Sequence, residues 1–74
     1  MTSPEEIRDR IETALPGARV SVADTTGAGD HFEVDVHAPA FAGRSLVEQH
    51  QLVYGALGNL MPRIHALSLR TAAT

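Results

Sequence analysis

Apolar residues recur at spacings of three and four early in the chain, at Ile7, Ile11, Ala14 and Leu15, which places them on one face of an α-helix. Ser3-Pro4-Glu5-Glu6 supplies the start. Ser3 can cap, Pro4 suits the first helical position, and Glu6 stands three residues after the cap for the reciprocal hydrogen bond. Pro16-Gly17 stops the helix. The period then shortens to two. Val20 and Val22 alternate with Arg19, Ser21 and Ala23 over residues 19–24, and Phe32, Val34 and Val36 alternate with His31, Glu33, Asp35 and His37 over 31–37. Thr25-Thr26-Gly27-Ala28-Gly29-Asp30 between them carries two glycines and reads as a turn. The pattern predicts an antiparallel hairpin with Phe32, Val34 and Val36 against a core and the opposite face open to water.

The helical period returns after Pro39-Ala40-Phe41-Ala42-Gly43-Arg44. Ser45 can cap a second helix, on which Leu46, Val47, His50, Val53, Tyr54, Leu57, Leu60 and Met61 fall to one side. Gly55 and Gly58 weaken its later part, so a break or an extra turn is expected before Pro62. Residues 64–71 read as a third strand, with Leu67 and Leu69 pointing one way and Ile64, Ala66 and Ser68 the other. The order is helix, strand, strand, helix with a short extra turn, strand. Two helices covering one face of a three-stranded sheet give an α+β sandwich of two layers in a single domain over residues 1–74. The second and third strands are joined through a helix, which makes them parallel neighbours in a mixed sheet.

At 74 residues the core is small, and a chain of this size has room for one shallow site. There is no cysteine, which excludes disulfides, thiolate nucleophiles and any self-contained cysteine-ligated zinc or iron–sulfur centre. Six arginines, no lysine and nine carboxylates leave a net charge of −3, without the basic stripe that phosphate backbones require. No apolar stretch is long enough to span a bilayer and no export leader is visible, so the expectation is a cytoplasmic protein without a membrane partner.

Four histidines are the main chemical material. No metalloprotease, nucleophile-elbow, phosphate-loop or dinucleotide pattern accompanies them. Gly27-Ala28-Gly29 leads into a strand rather than a helix, so it lacks the dipole of a phosphate-cradling loop. His50 lies on the apolar stripe of the second helix and reads as a packed helix residue. His37 ends a polar strand face beside Asp35 and Glu33 and reads as a surface residue. His31 and His65 open the second and third strands. If those strands are parallel neighbours, both imidazoles stand at the same end of the sheet, where they could share a metal. Strict alternation argues the other way, since His65 would share a face with Leu67 while His31 opposes Phe32. A structural role for His65 is as well supported by spacing as ligation, and two histidines fall short of a closed tetrahedral site.

The segments Asp30-His31-Phe32-Glu33-Val34, Phe41-Ala42-Gly43-Arg44-Ser45-Leu46-Val47-Glu48-Gln49-His50-Gln51-Leu52-Val53-Tyr54 and Ile64-His65-Ala66-Leu67-Ser68-Leu69 together resemble the BolA family, in the right order over nearly the whole chain. The short loop before His31 is most similar to the bacterial BolA-like branch. The resemblance implies an αββααβ fold similar to the type II KH domain. It also implies a non-enzymatic partner of monothiol glutaredoxins that acts in iron–sulfur cluster trafficking and iron homeostasis. In the implied heterodimer a bridging 2Fe–2S cluster is shared with the glutaredoxin cysteine and glutathione, and the chain alone carries no cofactor. The resemblance leaves room for a weak homodimer. The histidine of the Ile-His-Ala start, here His65, is the implied ligand. The family's second ligand is a Cys or His in the loop before the second strand, and residues 23–30 contain neither. His31 is the nearest substitute, with Thr25, Thr26, Asp24 and Asp30 as the neighbouring oxygen donors. KH-like folds bind single-stranded nucleic acid through a GXXG loop. Gly55-Ala56-Leu57-Gly58 has those letters but is expected inside a helix with Leu57 directed inward, so nucleic-acid-binding regulation ranks second and a hydrolytic or redox enzyme last.

Overall fold

The computed structural model describes residues 2–74. Helix α1 spans Pro4–Ala14, strand β1 Arg19–Asp24, strand β2 His31–His37, helix α2 Leu46–Leu57 and strand β3 Ala66–Ala72. A short 3-10 turn at Pro39–Phe41 precedes α2, and a longer 3-10 run at Gly58–Arg63 follows it. The sheet has the order β1-β2-β3, with β1 antiparallel and β3 parallel to the central β2. This is the α+β architecture with a mixed three-stranded sheet that the alternating periods predict.

Both helices begin where the sequence signals them. In α1 the Ser3 hydroxyl accepts the Glu6 amide at 3.2 Å while the Glu6 carboxylate accepts the Ser3 amide at 3.5 Å. In α2 the Ser45 hydroxyl accepts the Glu48 amide at 3.2 Å and the Glu48 carboxylate accepts the Ser45 amide at 2.9 Å. Each box satisfies two amides that have no partner within the helix. Ser45→Ala is expected to cost about 1 kcal/mol and to lower the melting temperature by about 4–8 °C, read by thermal unfolding in circular dichroism. A melting point equal to wild type would mean that this cap contributes nothing.

The core lies between the helices and one face of the sheet. Ile7, Ile11 and Leu15 come down from α1, Val53 and Leu57 from α2, and Phe32, Val34 and Val36 come up from β2, joined by Phe41, Leu60 and Ile64. Val20, Val22, Leu67 and Leu69 pack at its margins on the outer strands. The two helices are stapled near one end by Arg10, which donates to the Leu57 carbonyl at 3.4 Å and to the Asn59 side-chain oxygen at 3.0 Å. The opposite sheet face carries Arg19, Ser21, Glu33, His37, Ser68 and Arg70, all exposed.

Two expectations need correction. The third strand starts at Ala66 rather than Ile64 and ends at Ala72. The Ile64 amide closes the preceding 3-10 run on the Met61 carbonyl, and the Ile64 side chain is buried in the core rather than turned to the other sheet face. The apolar side of α2 is also narrower than its periodicity suggests. Val53 and Leu57 are buried, whereas Leu46, Val47 and Tyr54 are 61%, 66% and 40% exposed. Ala56 faces α1 across a shallow hollow shared with Arg10 and Ala14, and Val47 and Tyr54 lie on the flank of α2 turned away from it. The helix itself ends at Gly58, whose φ of +50° and ψ of −119° a side chain would oppose, and Pro62 falls inside the 3-10 run.

Candidate metal centre

The register of the parallel pair sets His31 of β2 opposite Ala66 of β3, so the residue before Ala66 arrives at the start of β2. His65 is exposed and precedes β3, so the pleat does not fix its direction. The two imidazole rings meet there with centroids 5.0 Å apart and planes tilted by 41°. Of the four histidines, this is the pair that the fold brings together. His50 stacks edge-on with Tyr54 at 6.2 Å on the flank of α2, and His37 is exposed at the far end of β2.

Backbone hydrogen bonds hold the pair. The Asp30 carbonyl accepts both the His65 amide at 2.8 Å and the Ala66 amide at 3.1 Å, which ties the end of the hairpin loop to the start of β3. The His31 carbonyl accepts the Thr25 amide at 3.0 Å and the Thr25 hydroxyl at 3.3 Å. The Asp30 carboxylate lies 3.8 Å from His31 Nε2, beyond hydrogen-bond distance. A shallow hollow beside His31 is lined by Thr25, Glu33, Ala66 and Ser68, open to solvent on the uncovered sheet face.

Among the described residues no three His, Cys, Asp or Glu side chains converge on one point. The oxygen donors considered beside His31 are engaged elsewhere: the Asp24 carboxylate with loop amides, the Thr25 hydroxyl with a backbone carbonyl, and the Thr26 hydroxyl with Asp30. The donor set is therefore two imidazoles with an adjacent carboxylate. A centroid separation of 5.0 Å is of the size that two imidazoles sharing one ion at about 2.0–2.1 Å require. Among the described residues the donors fall short of a closed site. Of the Gly55-Ala56-Leu57-Gly58 run expected inside a helix, the first three residues lie within α2 with Leu57 fully buried, whereas Gly58 caps the helix end and opens the 3-10 run.

The sequence names Asp24 only as an oxygen donor near His31, whereas Asp-Thr-Thr-Gly is also the signal of a side chain bonding to the backbone two residues on. Desolvation pushes its carboxyl up, and the amides of Gly27, Gly29 and Thr26 outweigh this and hold it below its ordinary 3.8. Glu48 is likewise held below its ordinary 4.5, by the Ser45 amide and hydroxyl and by Arg44 against opposing desolvation. Groups with depressed values in the folded state stabilise it once they ionise. Their contribution is fully present above the ordinary carboxylate range and is lost as pH falls through and below it. The urea midpoint is expected to fall on acidification through that range, with a weaker fall in Asp24→Asn. A midpoint that rises on acidification would contradict both assignments.

The BolA-like protein family profile matches residues 9–74. The chain belongs to the BolA family. Protein BOLA2 of Arabidopsis thaliana is 36% identical over 75 residues, covering all of this chain and 81% of that relative. The BolA homologue of Coxiella burnetii superposes with a TM-score of 0.81 at 43% identity, covering 100% of this chain and 92% of that one. The BolA domain of SufE1 from Arabidopsis thaliana gives 0.83 at 29% identity over 95% of this chain and 89% of that domain. This BolA-like chain thus places its histidine pair on a fold shared along its whole length with these structures. Among its described residues no helix is long and apolar enough to cross a membrane.

Proposed function

We propose that this BolA-like protein is a non-enzymatic accessory protein of iron–sulfur cluster trafficking and iron homeostasis in the cytoplasm. It acts by pairing with a monothiol glutaredoxin and lending imidazole to a 2Fe–2S cluster that bridges the two chains. The supporting observation is the apposition of His31 and His65 at an exposed end of the sheet, in a chain with no cysteine and, among the described residues, no group of three His, Asp or Glu side chains placed to hold an ion. A half-site of this kind asks for a partner that brings its own ligands, and a glutaredoxin cysteine with glutathione supplies thiolates. Family membership supports the same reading. So does the presence of a BolA domain within a larger protein, since a relative named SufE-like protein 1 is matched over only 21% of its length.

The chain's own residues then have separable tasks. His65 faces the cluster from a backbone fixed by Asp30, and His31 stands beside it as the second imidazole. The Asp30 carboxylate lies beside the His31 ring, 3.8 Å from Nε2. Imidazole in place of thiolate on one iron raises the cluster's reduction potential and provides a ligand that protons can displace.

The test is to mix the purified chain with a monothiol glutaredoxin, glutathione, iron and sulfide. The visible absorption and circular dichroism of the cluster should move away from those of the glutaredoxin alone, with a one-to-one complex in size-exclusion chromatography. An unchanged spectrum would sink the proposal. Net charge −3, the absence of lysine and the helical placement of Gly55-Ala56-Leu57 leave nothing in favour of nucleic-acid binding as a second reading.

A further inference from the structure

The loop between β1 and β2 carries neither histidine nor cysteine, yet it is cross-bonded along its length. Asp24 Oδ1 accepts the Thr26 amide at 3.2 Å and the Gly27 amide at 2.9 Å, and Oδ2 accepts the Gly29 amide at 2.9 Å. Gly27 and Gly29 turn the chain with φ of +79° and +76°, and Gly29 is buried. The Thr26 hydroxyl accepts the Ala28 amide at 3.2 Å and donates to Asp30 Oδ1 at 3.1 Å. Asp30 in turn receives the His65 amide at its carbonyl and stands beside the His31 ring. A chain of hydrogen bonds therefore runs from the Asp24 carboxylate through the loop to Asp30 and on to the His65 amide, and His31 follows Asp30 directly in the chain.

We infer that Asp24 is a positioning residue for the histidine pair: its carboxylate fixes the loop whose last residue, Asp30, sets where His31 and His65 stand. The inference rests on reading those two histidines as the cluster-facing pair. The physical reason is entropy. A loop with two glycines in so few residues has much backbone freedom to lose, and bonds to a charged acceptor are the stronger kind available to hold it. Only a carboxylate serves. An asparagine keeps one acceptor oxygen for Thr26 and Gly27, but its amide nitrogen would meet the Gly29 N–H as a second donor.

The experiment uses the isolated chain and the reconstituted heterodimer, with wild type, Asp24→Asn, Asp24→Ala and His65→Ala. In the isolated chain the ring-to-ring NOE between His31 and His65 reports their apposition without any metal. The NOE should disappear in Asp24→Ala and weaken in Asp24→Asn, while the His37 and His50 signals stay at their wild-type shifts. In the heterodimer the visible circular dichroism of both variants should move toward that of His65→Ala. A wild-type NOE in the folded Asn variant overturns the inference, and that variant decides if the Ala chain does not fold. A cluster signal in His65→Ala equal to wild type overturns the metal reading instead, and the NOE still decides whether Asp24 positions the two rings.

Discussion

His65→Ala is expected to leave the fold intact and to abolish the spectral difference between the mixed cluster and the glutaredoxin's own. The side chain is exposed, and the hydrogen bond that holds this position comes from the backbone amide, which alanine retains. Stability should therefore change by no more than about 0.5 kcal/mol. Cluster retention in the heterodimer should fall by roughly 10–100-fold or more, since even outer partners of metal ligands are worth that much. His31→Ala should have a smaller effect in the same direction. Equal effects from the two would make them ligands of equal standing, and a wild-type spectrum in His65→Ala would remove the histidine pair from the proposed function. Imidazole added to the His65→Ala heterodimer provides a check, because a vacated coordination position can be refilled from solution and a collapsed interface cannot.

Phe32→Ala is expected to be the most damaging of the core truncations. Phe32 is 2% exposed, lies in the central strand and pairs across it with Asp24 on one side and Leu67 on the other. Truncating a buried phenylalanine costs about 3–5 kcal/mol. A domain of this size holds roughly 4–11 kcal/mol in total, so the variant should lose between about a quarter and all of its stability. Phe32→Leu retains most of the volume and should cost under about 1.5 kcal/mol. Urea unfolding followed by circular dichroism measures both. A loss below about 1.5 kcal/mol for the alanine variant would show that the site collapses around the gap and that the core is less rigid than its packing implies.

Much of this fold is legible in the chain because local signals agree with one another. The alternation over residues 31–37 names the buried Phe32, Val34 and Val36, and Ser3 and Ser45 each mark a helix start with the matching glutamate. Periodicity is less informative about what covers a face. Val47 and Tyr54 stay open because α1 sits against the other flank of α2, and Leu46 is exposed at the first position of that helix. The start of β3 is blurred because Ile64 is apolar at the right spacing, while its amide already closes a 3-10 turn. That same detail decides the histidine pair. Alternation sets His65 and His31 on opposite faces, yet His65 lies outside the pleat, and strand parity does not reach it. The sequence order of the strands places the two rings at one end, and only their geometry shows that they meet. The role of Asp24 is hidden for another reason. Its partners are backbone amides, and these leave no trace in side-chain chemistry beyond a turn-forming composition.

The parallel pairing of β2 with β3 has a consequence for biogenesis. His31 belongs to a hairpin that can form from neighbouring residues, whereas His65 joins it only after α2 has crossed the sheet and the later strand has docked. Pairings between segments distant in the chain form late, because loop closure must precede them. A nascent or partly unfolded chain presents isolated imidazoles, and the His31–His65 pair comes into being with the native topology. On the proposed function, any affinity of the pair for iron would be coupled to completed folding.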